Sequence, residues 1–276
     1  MSFRGVEEII RDNKKGAFEL LFETGESIIS LNPDEAKKYA IELVQGRCSM
    51  SPLVNLANET FKAIKKGNHR ESIKDYLLDV EQSKRKVINK AQDIVSEFNN
   101  IGTLSYSSTV IEVLRNSQKV SVLESRPLFE GRKTAEKLCN EGVDVNFYPD
   151  PAICDMVFKI DALLVGCDSI SNEAFTNKTG THAAVIVCQH LKKPVYVVSD
   201  SSKILPKGIP LHFEEHHDPK EVWETELDIT IHNKYFEKIP WMDHIKLITE
   251  NGIIEKKEKI QREGVSEKLL KHYPME

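Results

Sequence analysis

The chain has 276 residues, of which 40% are hydrophobic and 29% are charged, and its formal net charge is -5. This length allows one large domain or two ordinary domains. No apolar run reaches the roughly 20 residues that a membrane-spanning helix needs, and the first twenty residues mix both charge signs where a signal peptide has an apolar block. A net negative charge also argues against general binding to nucleic acid. We therefore expect a globular cytoplasmic protein with no membrane contact and no direct nucleic-acid contact.

The cysteine and histidine patterns argue against a disulfide framework and a metal site. The five cysteines are an odd number, are widely spaced and form no CxxC pair. His212, His216 and His217 cluster between Pro210 and Pro219, but no HExxH pattern is present, so a polar loop is the better interpretation. We expect neither a metal nor a cofactor.

The first hundred residues have the apolar spacing of helices. Apolar residues recur at helical intervals over 6–28, and Pro33 with Asp34 opens a second segment. A third helix is expected after Pro52. Residues 70–99 keep one face apolar, as one long helix or two successive helices would. The pattern predicts a helical N-terminal domain over 1–99.

From residue 100 onward, short apolar or β-branched runs alternate with helical stretches. The predicted strands cover 101–105, 120–124, 143–148, 162–166, 195–199, 229–232 and 245–249. Strands that alternate with helices indicate a mostly parallel sheet covered on both faces. The predicted fold class is therefore α/β, with a Rossmann-like domain over 100–276. In such sheets ligands bind at the carboxyl ends of the strands.

Hydroxyl side chains follow the first predicted strand, in the run from Ser105 to Thr109. One interpretation is a helix cap, in which a serine oxygen accepts a hydrogen bond from a free amide at the start of the next helix. The other is a binding site for an anion or a polyol at the same amides.

The second predicted strand ends in Glu124-Ser125-Arg126-Pro127, and Glu130 follows. Arginine is suited to bidentate recognition of phosphate or carboxylate, so Arg126 is a candidate ligand-binding residue. The alternative is a surface ion pair between Arg126 and Glu124 or Glu130, which would contribute little energy.

The fourth predicted strand leads directly into Cys167, Asp168 and Ser169. A carboxylate at the end of a buried strand is a candidate for a shifted pKa and for acid–base chemistry. The competing interpretation is that Asp168 caps the next helix. Strand alternation directs Cys167 to the other side, which favours a packing role over a nucleophile.

Asn177 and Lys178 stand just before Gly180 and an apolar helix that starts near His182. A lysine, a flexible glycine and a helix N-terminus together form a candidate phosphate cradle. The Walker pattern GxxxxGK[ST] and the dinucleotide pattern GxGxxG are both absent.

In combination these segments resemble one family. The motifs, in chain order, are the Ser105-Tyr106-Ser107-Ser108 turn, ESRP followed by EG, GCDSI, NKTGT, and NKYFEKIPW followed by ITENG. The sequence resembles the alpha, beta and delta subunits of translation initiation factor 2B, as an archaeal-type homologue, over nearly the whole chain. That family is related to methylthioribose-1-phosphate isomerase and ribose-1,5-bisphosphate isomerase. The resemblance also implies phosphate-facing roles for Lys15, Gly16, Arg47 and Asn55.

The resemblance implies a specific departure from the isomerases. Those enzymes place a cysteine and an aspartate on opposite sides of an aldose phosphate, and the aspartate corresponds to Asp168. Ser105 stands where they have the cysteine, and Leu104 stands where they have a histidine. A serine hydroxyl is a far weaker acid than a thiol, whose pKa is near 8.5. The implied pocket, which keeps Arg126, Glu130, Asp168, Asn177 and Lys178, is thus expected to bind a phosphorylated sugar or nucleotide without turnover.

The resemblance further implies a regulatory subunit that contacts translation initiation factor 2, especially its alpha subunit. It also implies self-association through the C-terminal domain into at least a dimer. The alternative is an active isomerase of ribose 1,5-bisphosphate or methylthioribose 1-phosphate, with Asp168 catalytic and Ser105 in the position of the general acid. A third possibility is an assembly subunit with an empty pocket.

Overall fold

The computed structural model describes residues 3–12, 15–212, 217–256, 258, 260, 262 and 264–274. Five helices precede the first strand: α1 (Val6–Arg11), α2 (Ala17–Ser30), α3 (Pro33–Gly46), α4 (Ser51–Lys66) and α5 (His69–Val95). The predicted segment 6–28 is therefore two helices, and Gly16 is the N-cap of the second. α3 begins where predicted, because Asn32 and Glu35 form a reciprocal capping box around Pro33.

These helices share one apolar core. Its large buried members include Leu20, Ile28, Leu43, Leu53 and Ile73. Segments from the end of the chain complete it. They contribute Leu205, Ile209, Leu269 and Tyr273. The helical region is thus closed partly by chain that lies far beyond residue 99.

Ten strands follow in the described part of the chain. They are β1 (Asn100–Thr103), β2 (Lys119–Leu123), β3 (Asp144–Tyr148), β4 (Ala162–Val165), β5 (Ser169–Ile170), β6 (Ala174–Lys178), β7 (Val195–Val198), β8 (Phe236–Pro240), β9 (Ile245–Thr249) and β10 (Gly252–Ile254). The helices among them are α6 (Ser108–Leu114), α7 (Glu130–Asn140), α8 (Ile153–Lys159), α9 (Thr181–His190) and, at the end of the chain, α10 (Glu267–His272).

Seven strands form the larger sheet, in the order β10-β9-β7-β4-β1-β2-β3. All neighbouring pairs are parallel except β9 with β10. Apolar clusters cover both faces, one with α8 and α9 and the other with α6 and the second half of α5. The predicted α/β class, with a helical N-terminal region and a mostly parallel sheet, is confirmed.

A second, antiparallel sheet of order β5-β6-β8 stands beyond the carboxyl end of β4. The sequence analysis missed this sheet and interpreted the β6 residues as a loop before a helix. The predicted strand over 229–232 is wrong, because those residues belong to no strand in the structure. The division into domains at residues 99 and 100 stays a prediction. None of the described helices is long and apolar enough to span a membrane.

Candidate functional site

The candidate site lies where the strand order of the larger sheet reverses. β1 pairs with β2 on one side and with β4 on the other, so the chain proceeds outward in both directions from this point. Crevices at such switch points, outside the carboxyl ends of the strands, are the usual ligand sites of α/β sheets. Ser105 follows β1 and Asp168 follows β4. The two turns touch, because a Cβ at Gly166 would lie 3.0 Å from Ser107 Oγ.

Ser105 has a left-handed backbone, with φ of 65°. Its N–H donates to Ser125 Oγ at 2.7 Å, and its carbonyl oxygen accepts a hydrogen bond from Thr134 Oγ1 at 2.6 Å. Ser107 is the residue that caps α6, since its Oγ accepts from the Val110 amide. The two interpretations of the hydroxyl-rich turn therefore apply to different residues, and the half-buried Ser105 side chain is not used for capping.

The turn after β2 is also held in an uncommon conformation. Ser125 has φ of 62°, and the amides of Ser125 and Arg126 both donate to the Asp150 carboxylate, at 2.7 and 2.8 Å. The Arg126 guanidinium donates to the Val222 carbonyl oxygen at 3.0 Å. Neither predicted ion pair of Arg126 forms, because Glu124 pairs with Arg132 instead.

Glu130 pairs with Lys178, with 2.5 Å between Oε2 and Nζ. Lys178 is 1% exposed and its ammonium also lies 4.9 Å from the centre of the Tyr235 ring. Gly131 lets the start of α7 lie close to the end of β2, because a Cβ at this residue would lie 1.8 Å from the Leu123 carbonyl oxygen. A lysine so deeply buried requires a paired charge, and the start of α7 supplies it.

Asp168 stands beside this ion pair. Burial raises its pKa, Lys203 lowers it, Glu130 raises it and Lys178 lowers it, and the net shift is upward. Lys203 Nζ donates to the Cys167 carbonyl oxygen at 2.7 Å. Burial lowers the pKa of Lys203. The charges of Cys167, Asp168 and the nearby Asp200 raise this pKa by more than burial lowers it, so the net shift is upward. Two cations, Lys178 and Lys203, and three carboxyl groups, Glu130, Asp168 and Asp200, thus lie near one another.

The N-terminus of α9 is occupied by a side chain of the protein itself. Glu237 Oε1 accepts hydrogen bonds from the amides of Gly180, at 2.9 Å, and His182, at 2.7 Å. The side chain of Asn177 donates to Thr181 Oγ1 at 3.0 Å. In the single chain a carboxylate therefore fills the position at these amides that an anion would take, and the phosphate cradle stays a prediction.

The predicted N-terminal residues form a separate cluster around Asp12. The Lys15 amide donates to Asp12 Oδ1 at 3.1 Å, and the Lys15 ammonium pairs with Glu23. Arg47 is 4% exposed and donates to the Asp12 carbonyl oxygen. Gly16 has ordinary extended backbone at the start of α2. The structure therefore brings Lys15, Gly16 and Arg47 together around Asp12.

Two contacts connect the helical region to the crevice. Ser169, next to Asp168, donates through Oγ to the Ser49 carbonyl oxygen and accepts from the Ser51 amide, at 2.8 and 3.0 Å. Asn55 Nδ2 donates to the carbonyl oxygens of Ser202 and Ile204, at 2.6 and 2.9 Å, on either side of Lys203. The loop after Arg47 and the face of α4 therefore fix the backbone that carries Asp168 and Lys203.

Sequence reasoning missed Lys203 and Glu237. The run Ser199-Asp200-Ser201-Ser202-Lys203 follows β7 in the way that other polar clusters follow β1 and β4, so the strand-end rule could have identified Lys203. Nothing local marks Glu237, because its partners belong to the smaller sheet and to α9 and are brought near it only by folding.

The histidines and cysteines are the residues for which we expect neither a metal site nor a disulfide framework. His212 contacts the Pro274 carbonyl oxygen, His217 stacks on Tyr235, and His216 lies outside the described residues. The five cysteines, all of which lie within the described residues, form no disulfide. Among the described residues no group of three or more metal-binding side chains occurs.

Comparison with known proteins gives the family. Residues 21–256 match the model of the initiation factor 2 subunit family. A Pyrococcus abyssi protein named translation initiation factor eIF-2B subunit 2-like is 27% identical over 256 residues, covering 87% of this chain and 88% of that protein. Ribose 1,5-bisphosphate isomerase of Archaeoglobus fulgidus is 27% identical over 274 residues, covering 92% of this chain and 86% of the enzyme.

Solved structures of related proteins have the same fold as this chain. A Pyrococcus horikoshii translation initiation factor eIF-2B has a TM-score of 0.78 at 25% identity, covering 93% of this chain and 97% of that one. The fold is shared with 5-methylthioribose 1-phosphate isomerase from Pyrococcus horikoshii, at a TM-score of 0.67, 19% identity, and coverage of 90% and 83%. The fold is also shared with a chain of the tetrameric eIF2B-beta2-delta2 complex from C. thermophilum. The TM-score is 0.69 at 13% identity, and the match covers 92% of this chain and 91% of that one. This chain therefore belongs to the initiation factor 2 subunit family.

Proposed function

We propose that this chain is a regulatory subunit of the initiation factor 2B type, which binds a phosphorylated sugar or nucleotide at the crevice between β1 and β4 without converting it. It contacts translation initiation factor 2 through that factor's alpha subunit, and it works as a homo-oligomer, at least a dimer, in the cytoplasm. The proposal depends on one observation: Ser105, and not a cysteine, follows β1 at the edge of the sheet where the adjacent strand β4 leads to Asp168.

The neighbouring cysteine does not replace the missing thiol. Cys167 is 3% exposed, and burial raises its pKa to about 11. A thiol with so high a pKa is a weak proton donor near neutral pH. A serine hydroxyl is weaker still, so the general-acid role that the resemblance implies has no carrier at this site.

The charges at the crevice favour binding of a ligand that has both hydroxyl groups and a phosphate. Lys178 and Lys203 are the cations, and Glu130 and Asp168 supply acceptors for hydroxyl hydrogens. A phosphate group would pair with the two lysines, and the Glu130 carboxylate is the competitor for Lys178 that the ligand would displace.

An active isomerase is the second candidate function. It is favoured by the similarity to ribose 1,5-bisphosphate isomerase and by the raised pKa of Asp168, which brings a carboxyl group closer to the range useful for acid–base catalysis. In this alternative Asp168 is the catalytic residue, and Ser105 needs help from water or from a ligand hydroxyl.

The deciding experiment measures turnover and binding on the same protein. The wild type is incubated with ribose 1,5-bisphosphate and with methylthioribose 1-phosphate, and ketose formation is followed by NMR. We expect no ketose, but a raised melting temperature with at least one phosphorylated sugar, AMP or GMP, because a ligand that binds only the folded state stabilises it. Turnover that is abolished in Asp168→Asn would establish the isomerase. No melting shift with any of these compounds would favour an assembly subunit with an empty pocket.

Ser105→Cys is the matched gain-of-function variant. If only the thiol is missing, this variant forms ketose slowly while the wild type and Ser105→Ala do not. Contact with translation initiation factor 2 is tested separately, by capture of the purified factor on immobilised protein. Failure of capture alongside retained ligand binding would remove the translation role and leave the binding site.

A further inference from the structure

A second cavity, of about 340 Å³, lies between α5 and the carboxyl ends of β7 and β9. One wall is the middle of α5, from Tyr76 to Lys86. The opposite wall includes Asp200, which follows β7, and Glu250, which follows β9. Asp168, at the crevice of the proposed function, does not line it. We call this space the α5 cavity.

The size and polarity of the α5 cavity limit what it can hold. Its volume equals that of about eleven water molecules, so it suits a metabolite of roughly ten non-hydrogen atoms. Among the described residues that line it, only Val80 is aliphatic, while Gln82 and Ser83 are polar. An apolar occupant would leave those polar groups without partners. The occupant is therefore expected to be small and polar.

The charges of the wall favour a ligand with a positive group. The charged lining residues are three acids and two bases: Asp79, Asp200, Glu250, Lys86 and Arg262. Arg262 is already paired with Glu59, at 3.2 Å, and Glu59 is not among the lining residues. The remaining balance is negative, which attracts cations and repels a free phosphate.

Two carboxylates of the wall have oxygen atoms available to a cation. Asp200 is 4% exposed, and its Oδ1 accepts from the Ser202 amide at 2.9 Å, while its Oδ2 accepts no hydrogen bond from the described residues. Glu250 Oε2 accepts from the Ser201 amide at 3.1 Å. Both carboxylates therefore border the 3-10 turn Ser201–Lys203. A protonated amine, with three N–H donors, suits this pair of acceptors.

Arg262 offers donors at the same turn. Its guanidinium donates to the Ser201 carbonyl oxygen at 3.1 Å and to Glu59 at 3.2 Å, which uses two of its five N–H donors. It also lies 5.8 Å from the centre of the Tyr76 ring on the α5 wall. Guanidinium groups bind carboxylates well. Glu250 and Arg262 both contact Ser201, so an acceptor and a donor meet at one residue, just as the ammonium and carboxylate of an α-amino acid share one carbon.

We propose that the α5 cavity binds a free α-amino acid in its zwitterionic form. The ammonium group lies against Asp200 and Glu250, and the carboxylate lies against Arg262. The side chain of the ligand extends along α5 towards Ser83 and Lys86, a wall of about 15 Å whose polar groups favour a polar side chain. This site goes beyond the proposed function and does not depend on it.

The first test is a screen of ligands on the full chain. Each standard amino acid is added at about 10 mM, and at least one with a polar side chain should raise the melting temperature by about 2 °C or more. Its α-amide and its N-acetyl derivative each lack one charge and should bind about tenfold more weakly in calorimetry. No rise with any amino acid would overturn the proposal. Equal binding of the amide would overturn the zwitterion as the ligand.

Asp200→Asn tests where the ligand lies. Asparagine keeps an oxygen for the Ser202 amide but loses the charge, so binding should weaken by about tenfold or more. Asp218→Asn is the matched control, because Asp218 caps another 3-10 turn in the same way, through the Lys220 amide at 3.0 Å, and does not line the cavity. Unchanged binding in Asp200→Asn would put the ligand elsewhere and overturn the site.

Arg262→Gln tests the carboxylate end, with Glu59→Gln as its control. Both variants remove the ion pair between the two side chains, but only Arg262 lines the cavity. Loss of amino-acid binding in Arg262→Gln alone supports the contact, whereas equal loss in both variants would overturn it. Binding of phosphorylated ligands at the crevice is measured in the same variants, so that failure of this site and failure of the proposed function are seen separately.

Discussion

The first turn of α7 forms one ion pair on its inward face and one on its outward face, and the two pairs differ in how much they contribute to stability. Glu130 faces inward and pairs with Lys178, of which only 1% of the side chain is exposed. Arg132 faces outward and pairs with Glu124 while 58% of its side chain remains exposed. Water stabilises the outer charges whether or not they are paired, whereas the buried Lys178 depends on Glu130, the Tyr235 ring and the nearby Asp168. The buried pair of Glu130 and Lys178 is therefore expected to contribute much more to the free energy of unfolding than the exposed pair of Glu124 and Arg132.

The largest effect is expected from removing the inner carboxylate. Glu130→Gln leaves a buried ammonium without its counter-charge, and we expect a loss of about 3 kcal/mol in the free energy of unfolding, measured by urea denaturation. Glu124→Gln, the matched control on the outer pair, should cost less than about 1 kcal/mol. Equal losses in the two variants would show that Lys178 is solvated in solution.

The next largest effect concerns the carboxylate at the N-terminus of α9. Glu237→Ala removes the acceptor of two amide hydrogen bonds, so stability should fall by about 1–2 kcal/mol. Glu173→Ala, which changes a carboxylate with 77% exposure on the same small sheet, should be nearly neutral. If Glu237→Ala also binds inorganic phosphate more tightly than the wild type does, the carboxylate occupies a latent anion site; unchanged binding limits its role to capping.

A smaller effect of opposite sign is expected at Ser105. Its φ of 65° is unfavourable for an L-residue but not for glycine. Ser105→Gly should therefore raise stability by about 1 kcal/mol, visible as a higher melting temperature. Ser107→Gly, at a residue with φ of -129° that caps α6, should lower stability by a few tenths of a kcal/mol. A loss of stability in Ser105→Gly would mean that the side chain itself holds the turn.

The pH dependence of stability separates Asp168 from the other carboxyl groups. Its pKa is raised above the ordinary 3.8, chiefly by burial, so the folded state holds this proton more tightly than the unfolded state does. That contribution is complete below pH 3.8 and is lost as the pH rises through the folded-state value. Asp168→Asn should consequently match the wild type in acid and be more stable near neutral pH. Denaturation curves at several pH values test this, and a variant that is less stable at neutral pH would contradict the direction of the shift.

Prediction from sequence worked best where the signal is local and periodic. The helical spacing over 70–99 gave α5, and the capping signal at Pro33 gave the start of α3. The apolar runs gave every strand of the larger sheet except β10, because strands buried on both faces are continuously apolar. The candidate residues Ser105 and Asp168 followed from the rule that polar residues after buried strands collect at one edge, and Lys178 was proposed from its place before a glycine and a helix N-terminus.

The strand predicted over 229–232 failed for a related reason. Alternating apolar residues show that a segment is suited to a half-buried strand, but they do not supply the partner that such a strand needs. Ile229 is 47% exposed, and it and its neighbours belong to no strand. The pattern is local, and the pairing it requires is not.

The sequence by itself determined the α/β class, the strand ends that carry the polar residues, and the presence of serine where the related isomerases have cysteine. Only the tertiary structure decided which charges meet: Glu130 with Lys178, Lys203 beside Asp168, and Glu237 on the amides of α9. The physical reason is range. Periodicity and capping act over a few residues. Glu130 and Lys178 are 48 positions apart, Asp168 and Lys203 are 35 apart, and His182 and Glu237 are 55 apart. These pairings exist only once the two sheets and the helices have packed.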